Sequence, residues 1–418
     1  MNCLSDWLAR LEARNREPIV LGLERVQAVR QRLGLNPDFP LITVGGTNGK
    51  GSVCACLEAM LADTGYRVGL YTSPHLLRYN ERVRIDEREV VDADLCAAFA
   101  AVEAAREDTP LTYFEQGTLA AMWLFQRARL DVAVLEVGLG GRLDAVNVWD
   151  ADCAVVVSVD LDHQGFLGDT RETIGFEKAG IFRTGRPALC GDAAPPHSLL
   201  EHAQRIGANL LCAGQDFQWE TEAASWTLRV RGAVYPALPR PAMAGAHQFG
   251  NAACAIAALW SLRERLPVAL KALRIGLGRA RQPGRFQVIG HEPLRVVDVG
   301  HNPHAARALA RMLADLPPTG RVIGVLAMLA DKDVDGVIAA LKGRIHHWHL
   351  AGLDAPRGLA CTDLARRVEA AGGVCRCHDN VVAAWRAACG EAKAADTILA
   401  FGSFLTAASV LSETPPHG

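Results

Sequence analysis

The chain has 418 residues, half of them apolar, and a formal net charge of −2. That length suggests two or three domains with sizeable cores, and the near-neutral balance excludes the basic face that nucleic-acid and membrane-surface proteins usually carry. The N-terminal MNCLSDWLARLEARNRE has no apolar stretch of signal-peptide type, and runs such as VIGVLAMLA at 322–330 are too short for a bilayer, which needs about 20 residues, so a cytoplasmic chain is expected.

In chain order, residues 41–44 form an apolar run that ends in a glycine-rich loop. Residues 52–63 have helical spacing through Val53, Cys56, Leu57, Met60 and Leu61 and stop near Gly65. A short strand follows at 68–71. VAVLE at 132–136 and AVVVSV at 154–159 are continuously apolar, which predicts parallel strands buried on both faces. Residues 217–238 alternate enough to predict an antiparallel hairpin. The stretch RQPGRFQVIGHEP at 281–293 is polar, with two prolines and two glycines, and reads as a linker that could serve as a hinge. Beyond it come a strand at 294–299, a helix at 303–316, strands at 322–328 and 397–401, and a helix from about Ser403. The expected fold class is α/β: a P-loop-containing, doubly wound parallel-sheet domain over 1–284, followed by a smaller Rossmann-like α/β domain over 285–418.

Twelve cysteines are scattered through the chain. The closest pairs, Cys54-x-Cys56 and Cys375-x-Cys377, fit neither a zinc ribbon nor a redox motif, so free thiols in a reducing compartment are expected. The run His346, His347, His349 suggests either a metal site or an exposed strand edge, and the edge is the simpler expectation.

The stretch ITVGGTNGKGSV at 42–53 carries most of the chemistry. It departs from the common G-x-x-x-x-G-K-[ST] pattern: with Lys50 as the lysine, Val44 stands at the first glycine position, and Ser52 comes one residue late. A strand, then glycines, then a helix start is still the context for anion binding, because the helix N-terminus presents unpaired N–H groups and a positive dipole end. Lys50 can reach the β/γ-phosphates, and Ser52 the phosphates or their magnesium; the alternative is an ordinary glycine-rich turn. Glu136 ends an apolar strand, where a metal-ligating acid beside the loop belongs, although it could instead pair with Arg142. His163, in VSVDLDHQGFLG, follows a strand toward the same sheet edge, and Asp160 and Asp162 would otherwise make this a polar turn. Lys178, in GFEKAGI, is partly buried, so its neutral amine could capture CO₂ as a carbamate that binds a cation; a plain salt bridge is the simpler alternative.

Read together, GTNGKGS at 46–52, YTSPHL at 71–76, LTYFEQGT at 111–118, LEVGLGGRLDAVN at 135–147, EKAGIF at 177–182, PGRF at 283–286 and DVGHNPHAA at 298–306 resemble the Mur ligase superfamily. Within it they are similar to the folylpolyglutamate synthase/dihydrofolate synthase family. The resemblance implies ATP-dependent amide ligation with two magnesium sites. By motif, Thr47, Asn48, Gly49, Lys50, Gly51 and Ser52 would hold the ATP phosphates. Ser73, Glu136 and His163 would bind Mg²⁺, and a carbamylated Lys178 would support a second ion. Asn251 and Arg285 would contact the triphosphate, and Asp298 the ribose. Lys50, Lys178 and His301, the last at a closed domain interface, would carry the catalysis. The pterin would lie near Thr112, Leu143, Asp144 and Ala145, covered by Glu12, Ala13 and Arg14, with Ser403 at the glutamate.

In that frame residues 1–284 form the ATP-binding domain and 285–418 the glutamate ligase domain. The implied partners are dihydropteroate, reduced folates and L-glutamate, with no nucleic acid or membrane, and a monomer is expected. The implied activity joins L-glutamate to 7,8-dihydropteroate and adds γ-linked glutamates to reduced folates; the alternative is chain extension alone. A peptidoglycan Mur ligase would want a further N-terminal UDP domain, and a GTPase switch an N-K-x-D motif that the sequence lacks. A structural protein with a vestigial loop would not need Lys50, Glu136, His163 and Lys178 together.

Overall fold

The computed structural model describes residues 3–14, 20–316 and 320–413. Its contacts divide the chain into two units, Met1–Ala242 with Gln248–Arg281 and Met243–His247 with Gln282–Gly418. Among the described residues, no helix is long and apolar enough to cross a membrane.

The first unit is built on β1 (Leu41–Gly45), β2 (Val68–Tyr71), β3 (Val83–Ile85), β4 (Arg88–Glu89), β5 (Val132–Glu136), β6 (Cys153–Val156), β7 (Pro187–Cys190) and β8 (Asn209–Cys212). They form one eight-stranded sheet in the order β4-β3-β2-β5-β1-β6-β7-β8. The run from β2 to β8 is parallel, and β3 and β4 add an antiparallel edge. Every residue of β1 and β5 is buried, as unbroken apolar runs require when both faces are covered. Each large aliphatic side chain so buried contributes about 1.5–3 kcal/mol.

The helix Lys50–Ala62 is buried from Gly51 to Leu61, so it shows no polar face to mark it in the sequence. The helix Leu270–Arg279 can pack on it because Gly276 has no side chain: a Cβ there would lie 2.7 Å from the backbone of Met60. This unit also holds six buried free thiols, Cys54, Cys56, Cys153, Cys190, Cys212 and Cys254. Burial pushes all six thiol pKa values up, Cys56 and Cys190 to about 12 and Cys212 to about 11.

The expected hairpin at 217–238 is a three-stranded antiparallel meander, β9 (Phe217–Thr221), β10 (Ser225–Val230) and β11 (Ala233–Pro239). The alternation was visible, but the tight turn at Arg231 and Gly232, both at positive φ, hid the second reversal.

The second unit carries β12 (Gln287–His291), β13 (Leu294–Val297), β14 (Val322–Leu326), β15 (His347–Ala351), β16 (Cys375–His378) and β17 (Thr397–Phe401), ordered β12-β13-β17-β14-β15-β16. All neighbours are parallel except β12 with β13. Three expectations need correction here. The stretch at 281–293 is not all linker, since Gln287–His291 is an edge strand. The histidine run is not an exposed edge: β15 lies between β14 and β16, and His349 is only 2% exposed. Two of the twelve cysteines, Cys361 and Cys377, are joined in a disulfide rather than free.

Candidate active site

The strand order decides where the motifs meet. β2, β5, β1 and β6 are consecutive and parallel, so the loops that leave their C-terminal ends emerge side by side, the usual ligand position in an open α/β sheet. Those loops carry Ser73, Glu136, the 46–52 glycine loop and the 157–163 segment. Register brings Glu136 opposite Val44, where β1 gives way to the glycine loop.

The loop is held from outside by the segment after β6. The Thr47 amide donates to the Ser158 carbonyl (2.8 Å), and the Thr47 hydroxyl donates to the Asp160 carbonyl (3.0 Å). Ser158 Oγ accepts from the Asn48 amide and donates to the Asn48 carbonyl, both at 3.0 Å. Ser158 has no motif of its own, and its only sequence signal is its place just past a buried strand. Gly49 is at φ +86, and a Cβ there would meet Asn251 Oδ1 at 2.7 Å, so only glycine lets Asn251 come this close. Asn251 is itself oriented by donating to Gln248 Oε1 (2.8 Å). The Lys50 ammonium bends back over the loop and donates to the carbonyls of Gly46 (3.0 Å) and Thr47 (3.3 Å). Gly51 and Ser52 are buried in the first helical turn.

Glu136 is buried, and its Oε2 accepts from the Ser73 amide at 3.2 Å, so these two expected metal ligands are neighbours. Arg142 does not compete for Glu136, because its guanidinium is paired with Glu177 at 2.8 Å. His163 stands at φ 51, just before the short helix Gln164–Leu167.

Lys178 ends the helix Arg171–Ala179 and is 3% exposed. Burial pushes its pKa down to about 7; the Lys50 charge adds to this, and Asp162 and Asp144 oppose it. Burial outweighs the two nearby acids in setting the direction of this shift. Asp144 is fully buried, and burial pushes its carboxyl up to about 7 against hydrogen bonds from backbone amides; Oδ2 accepts from Leu139 (2.8 Å) and Oδ1 from Val146 (3.0 Å).

The expected pterin contacts are less uniform. Thr112 is the N-cap of the helix Tyr113–Ala128: its hydroxyl accepts from the Glu115 amide (3.2 Å), and Glu115 answers from the Thr112 amide (2.7 Å). Leu143 is half-buried and Ala145 buried. Glu12 and Ala13 are exposed near the end of the helix Leu4–Arg14, and Arg14 is paired with Glu103 at 2.8 Å.

Within the second unit, Asp298 follows β13. Its Oδ2 accepts from the Phe286 amide (2.8 Å) and its Oδ1 from the Gly300 amide (2.6 Å). Burial raises the Asp298 carboxyl, and the charge of Arg285 opposes this. Arg285 lies over the Phe404 ring at 5.5 Å, and His301 lies against the same ring at 6.3 Å. Thr406 Oγ1 gives its proton to the Ala327 carbonyl (2.8 Å), so the Ser403 hydroxyl donates to Thr406 Oγ1 (2.7 Å) while accepting from the Thr406 amide (2.9 Å). That hydroxyl caps the helix Phe404–Glu413.

Comparison with known proteins agrees with this geometry. Residues 44–259 match the Mur ligase middle domain, and residues 284–404 match the Mur ligase glutamate ligase domain. The chain is 46% identical to the dihydrofolate synthase/folylpolyglutamate synthase of Escherichia coli K12, over 98% of its own length and 94% of the relative's. The chain belongs to the dihydrofolate synthase/folylpolyglutamate synthase family of Mur ligases. A solved member of that family, E. coli FolC in complex with DHPP and ADP, superposes with a TM-score of 0.94 at 45% identity, covering 99% of this chain and 97% of that one. The bifunctional enzyme of Yersinia pestis, complexed with AMPPNP and Mn ion, gives a TM-score of 0.93 at 44% identity over 99% and 98%.

Proposed function

We propose that the chain is an ATP-dependent ligase that joins L-glutamate to 7,8-dihydropteroate and then adds γ-linked glutamates to reduced folates. The observation that carries the chemistry is a buried lysine, Lys178, close enough to the phosphate-loop Lys50 for the two charges to oppose each other. Burial and the Lys50 charge together disfavour the ammonium form of Lys178, against the pull of Asp162 and Asp144.

A carboxylate does not react with an amine at neutral pH because its leaving group is poor. Transfer of the ATP γ-phosphoryl group to the carboxylate makes an acyl phosphate. The glutamate amine then attacks the acyl carbon, and the tetrahedral intermediate expels phosphate and leaves an amide. Charge builds on oxygen at each step, so cations fixed in advance lower the barrier. In this proposal Lys50 leaves the Gly46 and Thr47 carbonyls for the phosphates, and the amides of 47–52 complete the cradle. Asn251 and Arg285 contact the triphosphate, Asp298 the ribose, and His301 lies near the reacting groups. Leu143, Asp144 and Ala145 bound the pterin site, with Glu12, Ala13 and Arg14 at its rim. In this reading residues 1–284 form the ATP-binding domain and 285–418 the glutamate ligase domain.

The residues fit a divalent ion. Ser73, whose amide meets the Glu136 carboxylate, would offer its hydroxyl and Glu136 its carboxylate, oxygen donors of the kind Mg²⁺ prefers, with His163 as a third ligand. Such an ion, when bound, neutralises phosphate charge. The depressed pKa of Lys178 makes its amine available to CO₂: Nζ bonds to the carbon, a proton leaves, and the resulting carbamate is an anionic ligand for a second ion. We further propose a monomer acting in the cytoplasm.

A substrate panel tests the reading. Purified protein with ATP, Mg²⁺ and radiolabelled glutamate should incorporate label with dihydropteroate and with tetrahydrofolate. Incorporation with the folate alone would reduce the activity to chain extension, and incorporation with neither would overturn the proposal.

A further inference from the structure

We propose that His347, His349 and Glu391 form a site for one divalent transition-metal ion, Zn²⁺ in the first instance, at the start of β15 in the second unit. Their ligand atoms lie within 4.8 Å of one another. His347 Nδ1 is 2.8 Å from the Glu391 carboxylate, and His349 Nε2 is 3.1 Å from Glu391 Oε2. Two imidazoles and one carboxylate are a donor set that zinc accepts, with tetrahedral bonds of about 2.0–2.2 Å. Drawing the donors to that distance needs side-chain movement of about an ångström.

The surroundings orient the set. His349 Nδ1 is 2.9 Å from His378 Nε2 on β16. With an ion bound, a proton on His349 Nδ1 given to His378 Nε2 would leave the His349 Nε2 lone pair for the metal, the arrangement in which a ligating histidine is steadied by an outer partner. Arg321 donates to Glu391 Oε1 at 3.1 Å, the oxygen that His347 Nδ1 also meets, while Oε2 faces His349 Nε2. His349 is buried while His347 and Glu391 keep partial exposure, so an ion has both a floor and an entrance.

The position separates this site from the nucleotide chemistry. His347 pairs with Ile323 near the beginning of β14, whereas Asp298 and Ser403 follow the C-terminal ends of β13 and β17 in the same sheet. An ion here would tie β15 to the end of the helix Val381–Glu391 and act on stability rather than on turnover.

The test uses the full chain, stripped with EDTA and dialysed against micromolar Zn²⁺ in excess Mg²⁺. Metal content should be about one zinc per chain, and the unfolding temperature should rise by several degrees. His347→Ala and Glu391→Gln should each weaken zinc binding by more than about 100-fold, and His378→Ala by about 10-fold. Mg²⁺-dependent ligase activity of His347→Ala should match wild type, which shows that the variant is folded. Co²⁺ should give tetrahedral visible bands in wild type and lose them in His347→Ala. Zinc content that is nil in wild type, or unchanged in His347→Ala and Glu391→Gln, would overturn the proposal.

Discussion

Lys178, in the last turn of a helix of the first unit, and Asp298, just past a parallel strand of the second, are both buried ionisable groups, yet their surroundings differ. The strongest charge acting on Lys178 is a second lysine, Lys50, and the two acids that oppose it act more weakly. Asp298 is met by the opposite charge of Arg285 and by two backbone amides. The rest of the second unit follows the same habit, with Arg321 shared between Glu391 and Asp396. The largest influences on Lys178, burial and the Lys50 charge, thus both disfavour its ammonium form, whereas Asp298 is held by an opposite charge and two amides. An amine disfavoured as the ammonium suits capture of CO₂ at Lys178, and a carboxylate fixed by amides suits a positioned acceptor at Asp298.

The sharpest way to break this contrast is at Lys178. Lys178→Ala should reduce glutamate incorporation by at least about 1,000-fold, and Lys178→Glu should recover part of it by supplying the carboxylate that a carbamate would provide. Near-normal turnover in the alanine variant would remove the carbamate role. Lys50→Ala should cost about 100-fold or more in kcat, the loss typical of one preorganised donor to a developing charge, while circular dichroism stays that of the wild type. In the second unit, Asp298→Asn should have a milder effect and raise the Kd for ADP about tenfold, since a single hydrogen bond to a neutral hydroxyl is worth about 1.4 kcal/mol.

A pH series sharpens the contrast further. CO₂ reacts only with neutral amine. With the Lys178 pKa near 7, the neutral fraction should fall about tenfold between pH 8 and pH 6. Activity should drop over that range and be partly rescued by added bicarbonate; a flat profile would argue against the modification. The sign for stability is fixed as well. Unmodified Lys178 has a folded pKa below its unfolded value of 10.5, so it costs stability fully below about pH 7, and that cost fades as pH rises to 10.5. The smallest effect is expected at Thr112. If its hydroxyl only caps a helix, Thr112→Ala should cost about 1 kcal/mol of stability and leave the KM for dihydropteroate unchanged. A raised KM with no loss of Tm would restore it to the pterin site.

Much of this organisation was legible in the residues. The strands at 68–71, 132–136 and 397–401 stand where the apolar runs put them, because strands buried on both faces leave an unbroken signature. β16 went unseen because CRCH does not look like a strand, and without it the histidines of β15 looked like an edge. β12 was masked by the prolines and glycines that flank it. At the site, Lys50 and Glu136 stood out by loop and strand-end position, whereas Ser73 came only with the family motif. The capping roles of Thr112 and Ser403 were not carried by the family motifs, although T-Y-F-E at 112–115 has capping-box spacing and would have revealed the first of them.

The six enclosed cysteines of the first unit give the protein a built-in stopwatch. A thiol with no solvent contact and a raised pKa cannot be alkylated until the segment around it opens, so modification at Cys54 beside the phosphate loop would time the opening of that loop's helix. Surface-lying Cys3 would react at once and serve as the zero of the clock. Following mass gain at each position, with and without nucleotide, would rank the parts of the sheet by how often they breathe.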